Sequence, residues 1–178
     1  MLPARRETGA DAGFTLLELA TVIVVIAILA TMMLGSMASF RARAEKVSCA
    51  SNLRSLHAGV SSYIQSYQKW PQIEVRLLQA NKKEYARQWV AALSPYGITQ
   101  RSWVCPTQHR MLGEPDLTRE ARADYNATPF DSRPRTPFQW STQPWFVEHA
   151  SVHDGGPLLI YPDGAVLSLS EALKRRTR

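Results

Sequence analysis

The chain has 178 residues, of which 45% are hydrophobic and 20% charged, and it carries a formal net charge of +6. This length is enough for one modest domain and a short additional segment. The positive charge alone would suit nucleic-acid binding. The basic residues are scattered, however, and no recognition motif accompanies them, so we expect no nucleic-acid partner. The two cysteines are too few for a disulfide scaffold and lack the spacing of a metal site.

An apolar segment near the N-terminus covers residues 14–34 and contains a single ionisable side chain, Glu18. As a helix it would be about 30 Å long, which is enough to cross a bilayer. Cleavage by signal peptidase is an alternative, because small residues stand at Ser36 and Ala38, but secretory signals normally have a shorter apolar region of about 7–15 residues. A carboxylate inside a membrane helix costs free energy, so Glu18 either lies at the membrane interface or has a function.

The helical pattern continues beyond the apolar segment, since no proline stands between residues 4 and 70. Side chains recur there at spacings of three and four, which is typical of one face of an amphipathic helix. They are Cys49, Leu53, Leu56, Val60, Tyr63, Ile64 and Tyr67. We expect one long helix, with one half in the membrane and the other packed against a head, that is ended by Pro71.

The first half of the remaining chain predicts a helix, a short strand and long loops. A helical pattern runs to Leu93 and is broken by the proline and glycine of residues 94–97. Residues 102–106 predict a short strand that Pro106 stops. Residues 113–144 are rich in proline with weak periodicity, and they predict long loops with a short strand near residues 124–126.

The C-terminal part predicts a β-hairpin followed by a short helix. Two apolar runs, residues 157–161 and 165–169, flank the turn sequence Pro162-Asp163-Gly164. Proline presets φ and glycine accepts a positive φ, so this sequence favours a tight turn between two strands. Ser170 is expected to cap a final helix over residues 171–175. The expected fold class is therefore α+β, a long N-terminal helix with a small head that contains an antiparallel sheet.

The residues that begin the apolar segment, Gly13-Phe14-Thr15-Leu16-Leu17-Glu18, resemble the prepilin motif of type IV pilins and type II secretion pseudopilins. The resemblance implies cleavage by a prepilin peptidase between Gly13 and Phe14, methylation of Phe14, and a role for Glu18 in assembly. It also implies a pilin-like fold. The parts would be a leader at residues 1–13, a membrane-spanning half-helix at 14–35, an amphipathic half-helix at 36–70 and a globular head at 71–178.

Further blocks resemble the pseudopilin-like proteins related to the major pseudopilin of type II secretion. They include residues 48–54, residues 89–96, residues 104–106, and His153 followed ten residues later by Asp163-Gly164. The resemblance implies a single-pass protein of the bacterial inner membrane, with its N-terminus in the cytoplasm and its head in the periplasm. It would be a subunit of a pseudopilus for protein export and not an enzyme. A type IV pilus subunit (adhesion, motility or DNA uptake) and a membrane-tethered binding protein that does not polymerise are the alternatives.

The resemblance also names the partners. They are the prepilin peptidase, other pilin or pseudopilin subunits, an assembly-platform membrane protein and a secretion ATPase. The chain has no nucleotide-binding loop of its own, so the work of assembly must come from such partners.

Few residues suggest further chemistry. In the implied orientation Cys49 and Cys105 lie outside the cytoplasm, where a disulfide and a pair of buried free thiols both remain open. The histidines place no third metal ligand by their spacing, so no metal site is predicted. The resembled major pseudopilins hold calcium in a loop of the head, which leaves calcium open as a ligand here. The candidate oxygen ligands are Asp124, Asp131, Asp154 and Asp163, but they do not form a loop with regular spacing.

Overall fold

The computed structural model describes residues 15–113, 121–133 and 135–176. The chain divides into two compact units, Met1–Phe40 and Arg41–Arg178. The elements are a long N-terminal helical region and a small four-stranded antiparallel sheet with short helices. The predicted α+β class is therefore confirmed.

The first helix, α1, covers Leu16–Tyr67 and begins in the first unit. All described side chains of residues 15–32 and 37–40 are exposed in the structure. Within the described residues, no single helix is both long enough and apolar enough to cross a membrane. The two stretches on either side of a bend in α1, Leu16–Met32 and Met37–Tyr67, pass that test of length and composition only as a pair.

In the second unit, α1 carries the predicted apolar stripe into the core. Its fully buried members are Cys49, Leu53, Leu56 and Val60, and Ile64 is 4% exposed. The stripe ends earlier than the sequence pattern suggests, because Tyr67 is 58% exposed. The helix stops at Tyr67, where Gln68 adopts φ +54°, and not at the proline that follows.

In the part of the chain that the structure describes, four short α-helices lie between α1 and the last helix. They are α2 (Leu77–Ala80), α3 (Lys82–Leu93), α4 (Pro106–Leu112) and α5 (Thr136–Gln139). The helix predicted to run to Leu93 is confirmed as α3, and Asn81 caps it by accepting a hydrogen bond from the Glu84 backbone. Capping by an asparagine side chain is a common way to start a helix.

The strand predicted over residues 102–106 is wrong. A 3₁₀ helix covers Gln100–Trp103, and Cys105 is the N-cap of α4. Pro106 occupies the first turn of that helix, where its missing N–H is not needed and its fixed φ suits helical geometry. The proline that would stop a strand instead starts a helix.

The four strands are β1 (Tyr125–Ala127), β2 (Phe146–Glu148), β3 (Leu158–Ile160) and β4 (Val166–Ser168). They pair antiparallel in the order β1-β2-β3-β4. The predicted hairpin is confirmed as β3 and β4, with Leu159 opposite Leu167. In its turn Gly164 adopts φ +77° and donates its N–H to the Tyr161 carbonyl at 2.9 Å.

The last helix, α6, covers Leu169–Arg176. Its cap is Ser168 and not the predicted Ser170. The Ser168 backbone N–H donates to the Glu171 carboxylate at 2.8 Å, and the Glu171 N–H donates to the Ser168 hydroxyl at 3.4 Å. This reciprocal pair is a capping box, which satisfies donors at the start of the helix.

A cluster of aromatic rings joins α1, α3 and the sheet in the core of the second unit. The centroids of Trp70 and Trp145 lie 5.5 Å apart, and the rings of Trp89 and Trp103 each lie within 5.8 Å of Phe146. Most of these pairs meet edge to face, the arrangement that aromatic quadrupoles favour. The cluster holds the sheet against the buried stripe of α1.

Candidate functional site

Of the residues predicted for cleavage and assembly, Glu18 lies in the first turn of α1, and Gly13 and Phe14 are outside the described residues. The Glu18 carboxylate accepts hydrogen bonds from the Thr15 backbone N–H at 3.0 Å and from the Thr15 hydroxyl at 2.9 Å. The Glu18 N–H donates to the Thr15 hydroxyl oxygen at 3.2 Å in return. Thr15 and Glu18 therefore form a capping box, a local role that the T-x-x-E sequence signal could have indicated.

A second group of functional side chains lies inside the second unit. One ligand atom each from Cys49, Cys105, Glu148 and His153 lies within 4.8 Å of the other three. Both cysteines are fully buried, and the side chains of Glu148 and His153 are 0% and 3% exposed. We call these four residues the buried cluster.

Each member of the buried cluster is held by a different part of the fold. Cys49 belongs to the buried stripe of α1, and Tyr125 donates its hydroxyl to the Cys49 carbonyl at 3.4 Å. Cys105 is fixed at the start of α4, because its N–H donates to Asp124 at 2.9 Å. Asp124 is itself held by Arg122 at 2.6 Å. The cluster therefore rests on a second layer of hydrogen bonds.

Glu148 and His153 come from the end of β2 and the loop after it. One Glu148 oxygen, Oε2, accepts a hydrogen bond from the Leu158 N–H at 3.2 Å, which ties the carboxylate to β3. The other, Oε1, lies 3.3 Å from His153 Nε2 but makes no well-oriented hydrogen bond to any described residue. His153 Nε2 also lies 3.8 Å from Cys105 Sγ. The imidazole nitrogen thus faces both a thiol and a carboxylate.

These contacts shift the pKa values of the cluster residues in different directions. The hydrogen bond from Cys105 lowers the pKa of Cys49 although burial opposes the shift, and the same bond raises the pKa of Cys105 together with burial. The contacts of the imidazole with Cys105 and then with Glu148 raise the pKa of His153 to about 9, against the effect of burial. The cluster therefore combines two thiols of unequal acidity with an imidazole whose protonated form is favoured.

The sequence grouped His153 with Asp163 and Gly164, but the structure gives them different roles. His153 is a member of the buried cluster. Asp163 accepts a hydrogen bond from the Ala165 N–H at 3.0 Å and lies 3.6 Å from Arg175, and Gly164 supplies the positive φ of the hairpin turn. Both residues therefore build the turn between β3 and β4.

The aspartates named as candidate calcium ligands are not grouped in the part of the chain that the structure describes, where no three of them come together. Asp124 is engaged by the Cys105 N–H and Arg122, and Asp131 accepts a hydrogen bond from the Arg133 N–H at 3.0 Å. The contact of Asp131, with a backbone N–H two residues further on, is typical of aspartates that shape turns. Calcium binding stays an alternative.

Glu148 is the member of the buried cluster that no sequence pattern indicated. It stands at an inward position of β2, on the same face as the buried Phe146. A buried carboxylate requires a partner, which was the available signal. The two cysteines, considered as a disulfide or as free thiols, are brought together by the structure and are unbridged in it.

Comparisons of this chain with protein-family models, with curated proteins and with solved structures found no match. Two features of the chain itself bear on its function, the motif at the start of α1 and the buried cluster.

Proposed function

We propose that this chain is a pseudopilin-like subunit of a type II secretion system. A prepilin peptidase cuts it between Gly13 and Phe14, Phe14 is methylated, and the mature chain assembles from the inner membrane into a periplasmic pseudopilus. The single observation that carries the proposal is the motif of residues 13–18, with its Glu18, directly before an apolar helical segment. The chain acts mechanically and not as an enzyme.

The exposed surface of the first unit supports this proposal. Leu16, Leu17 and Met32 are 89%, 75% and 70% exposed, and the described apolar side chains between them are exposed as well. Apolar surface in water is unfavourable by roughly 25 cal/mol per Å². Lipid before assembly and the helices of neighbouring subunits after assembly would cover this surface. A pseudopilus subunit needs such a helix in both states.

The second unit supports the same architecture. Its part of α1 is buried on one side against the sheet and the aromatic cluster, so the helix belongs to the head as well as to the first unit. One long helix that is free at its start and packed at its end is the pilin-like arrangement that the motif implies. We propose that the heads form the surface of the filament and the starts of the helices its centre.

Glu18 is proposed to set the register of assembly. Cleavage after Gly13 creates an ammonium on Phe14, four residues before the Glu18 carboxylate. Opposite charges that meet in a low-dielectric environment cost far less than either charge alone. The capping box with Thr15 keeps the carboxylate at the N-terminal end of α1, where the helix dipole also favours a negative charge.

The proposal is tested by the N-terminus of the mature chain. Intact-mass analysis of the membrane fraction should show a chain that starts at Phe14 with one added methyl group. Gly13→Val should leave the precursor uncut, because a β-branched side chain hinders the approach of a protease to the backbone. Ala10→Val in the same leader is the matched control and should be cut normally. A mature chain that starts at Ser39 would contradict the proposal.

Deletion of the gene distinguishes the pseudopilus from the two alternatives, because each predicts a different defect in the cell. Loss of an exported enzyme supports a pseudopilus. Loss of sheared surface filaments supports a type IV pilus. A membrane-tethered protein that does not polymerise would give neither loss and would be insensitive to changes at Glu18.

A further inference from the structure

Four potential metal ligands from distant parts of the chain converge in the buried cluster. Cys49 lies on α1, Cys105 at the start of α4, Glu148 at the end of β2, and His153 in the loop that follows. All four ligand atoms lie within 4.8 Å of one another and are shielded from solvent. Thiolate, imidazole and carboxylate are the three kinds of side chain that bind zinc in proteins.

Two separations within the cluster are close to the edges of a tetrahedron around one ion. Zinc lies about 2.3 Å from sulfur and about 2.0–2.2 Å from nitrogen or oxygen, so tetrahedral ligands stand about 3.3 Å apart for a nitrogen–oxygen pair and about 3.6 Å for a sulfur–nitrogen pair. The Glu148 Oε1 to His153 Nε2 distance is 3.3 Å and the Cys105 Sγ to His153 Nε2 distance is 3.8 Å. Both distances are within about 0.2 Å of the edges expected of a zinc site, and the other separations are at most 4.8 Å.

The orientation of Glu148 is a second, independent observation. Its Oε1 atom is buried and has no well-oriented hydrogen bond to a described residue, although His153 Nε2 is near enough for one. A buried carboxylate oxygen without a donor is costly. Two polar atoms that lie close but do not point at each other are arranged as ligands of a common centre. The other oxygen, Oε2, is held by the Leu158 N–H, as outer-shell contacts hold metal ligands.

We propose that Cys49, Cys105, Glu148 and His153 bind one Zn²⁺ as a closed structural site in the second unit. Both thiols and the protonated imidazole of His153 release their protons to solvent on binding, so that His153 binds through Nε2 as a neutral imidazole. The four ligands leave no open position for a substrate, so the ion is structural and not catalytic. This inference is independent of the proposed secretion function.

The proposed ion would cross-link the head. It joins α1 to the start of α4 and to the β2–β3 connection, segments that are otherwise linked by the aromatic core and a few hydrogen bonds. The free energy of metal binding at such a site adds to the free energy of folding. A disulfide between Cys49 and Cys105 would use the same sulfur atoms and exclude the ion, so the two outcomes are distinguishable.

The test measures metal and thiol state on the same sample. The full untagged chain is purified in detergent without chelator, and its zinc content is measured by elemental mass spectrometry. We expect one zinc per chain and two thiols that react with an alkylating agent only after denaturation with a chelator, with no reductant needed. Replacing the zinc with Co²⁺ should give the intense visible bands of tetrahedral cobalt and a thiolate-to-cobalt charge-transfer band. The cobalt measurement requires no variant and does not depend on a variant folding.

Variants assign the ligands. Loss of an outer-shell partner typically weakens metal binding by about 10–100-fold. Cys105→Ser, Glu148→Gln and His153→Gln each remove a ligand, so each should weaken zinc binding by more than that. The matched controls are His149→Gln, four residues before His153 and outside the cluster, and Glu74→Gln, whose side chain is 63% exposed. Both controls should keep one zinc per chain.

Three results would overturn the proposal. The first is a chain that holds no zinc even after the metal is supplied to the reduced protein. The second is a pair of cysteines that becomes reactive only after reduction, which would show the disulfide. The third is a zinc content that is equal in the wild type and in all three ligand variants, which would show binding elsewhere on the chain.

Discussion

Gly59 on α1 lies directly against the buried side chain of Ile98, so closely that a Cβ added to the glycine would stand 2.4 Å from Ile98 Cγ1. Ile98 is 6% exposed and has little room to move. In a helix interior, replacing glycine with alanine normally stabilises by roughly 0.5–1 kcal/mol. At Gly59 an alanine would gain this helix preference, but its Cβ would overlap the side chain of Ile98.

We expect Gly59→Ala to lower the free energy of unfolding by about 1–2 kcal/mol, since overpacking typically costs about 1–3 kcal/mol and helix propensity returns part of it. Denaturant unfolding of the chain in detergent, followed by circular dichroism, measures the change. Ser66→Ala on the exposed side of the same helix is the control and should not destabilise. Ile98→Ala should cost less in the Gly59→Ala background than alone; strict additivity would show that the two side chains do not compete for space.

A second long-range contact predicts that the stability of the fold depends on pH. Arg110 donates two hydrogen bonds to Glu45, from Nε to Oε1 at 2.9 Å and from Nη2 to Oε2 at 3.0 Å, and Arg41 lies 3.5 Å from the same carboxylate. The hydrogen bond from Arg110 lowers the pKa of Glu45. A glutamate with a lower pKa in the folded chain stabilises the fold above its unfolded pKa of about 4.3, and this stabilisation is lost as the pH falls through the folded value.

Glu45→Gln should therefore lower the melting temperature of the chain near neutral pH. The drop should be at most about 4 °C, because Arg110 is half exposed and solvent screens the pair. The difference between variant and wild type should vanish as the pH falls through the lowered pKa that Glu45 has in the folded chain. Glu74→Gln removes a more exposed pair with Arg76 and should change nothing. A difference that persists in acid would mean that Glu45 acts through packing and not through its charge.

Local sequence chemistry was sufficient wherever a few neighbouring residues determine the structure. The turn at residues 162–164 was predictable because Gly164 alone accepts the required φ, and the strands beside it are continuous apolar runs. The buried stripe of α1 was predictable because one helix face repeats every three or four residues. Residues 102–106 were not, since a proline after a short apolar run fits the end of a strand and the start of a helix equally well.

The buried cluster was beyond prediction from spacing. Cys49 and Cys105 meet only after α4 has docked beside α1, and Glu148 and His153 join them only when β2 has paired within the sheet. Metal motifs are recognised in a sequence when two ligands share a turn or a helix, and here each ligand has its own segment. The signal that the sequence did contain was a carboxylate in the apolar strand Phe146–Glu148.

The capping box at the start of α1 gives Glu18 two separable roles, a local one in capping the helix and a proposed one in pairing with the Phe14 ammonium. Glu18→Gln retains an oxygen that can accept the Thr15 hydrogen bonds but carries no charge. Glu18→Ala removes both the charge and the cap. Thr15→Ala leaves the charge and removes the side-chain half of the cap.

We expect both Glu18 variants to be made, inserted and folded in the head, and to fail equally in assembly, because a single buried ammonium without its partner opposes docking into the filament. Thr15→Ala should still assemble. Chemical cross-linking of subunits in membranes, together with secretion of exported enzyme, measures assembly, and circular dichroism checks the fold. If Glu18→Gln assembles as well as the wild type while Glu18→Ala does not, the capping box is the role of Glu18, and the charge pair has no part in setting the register.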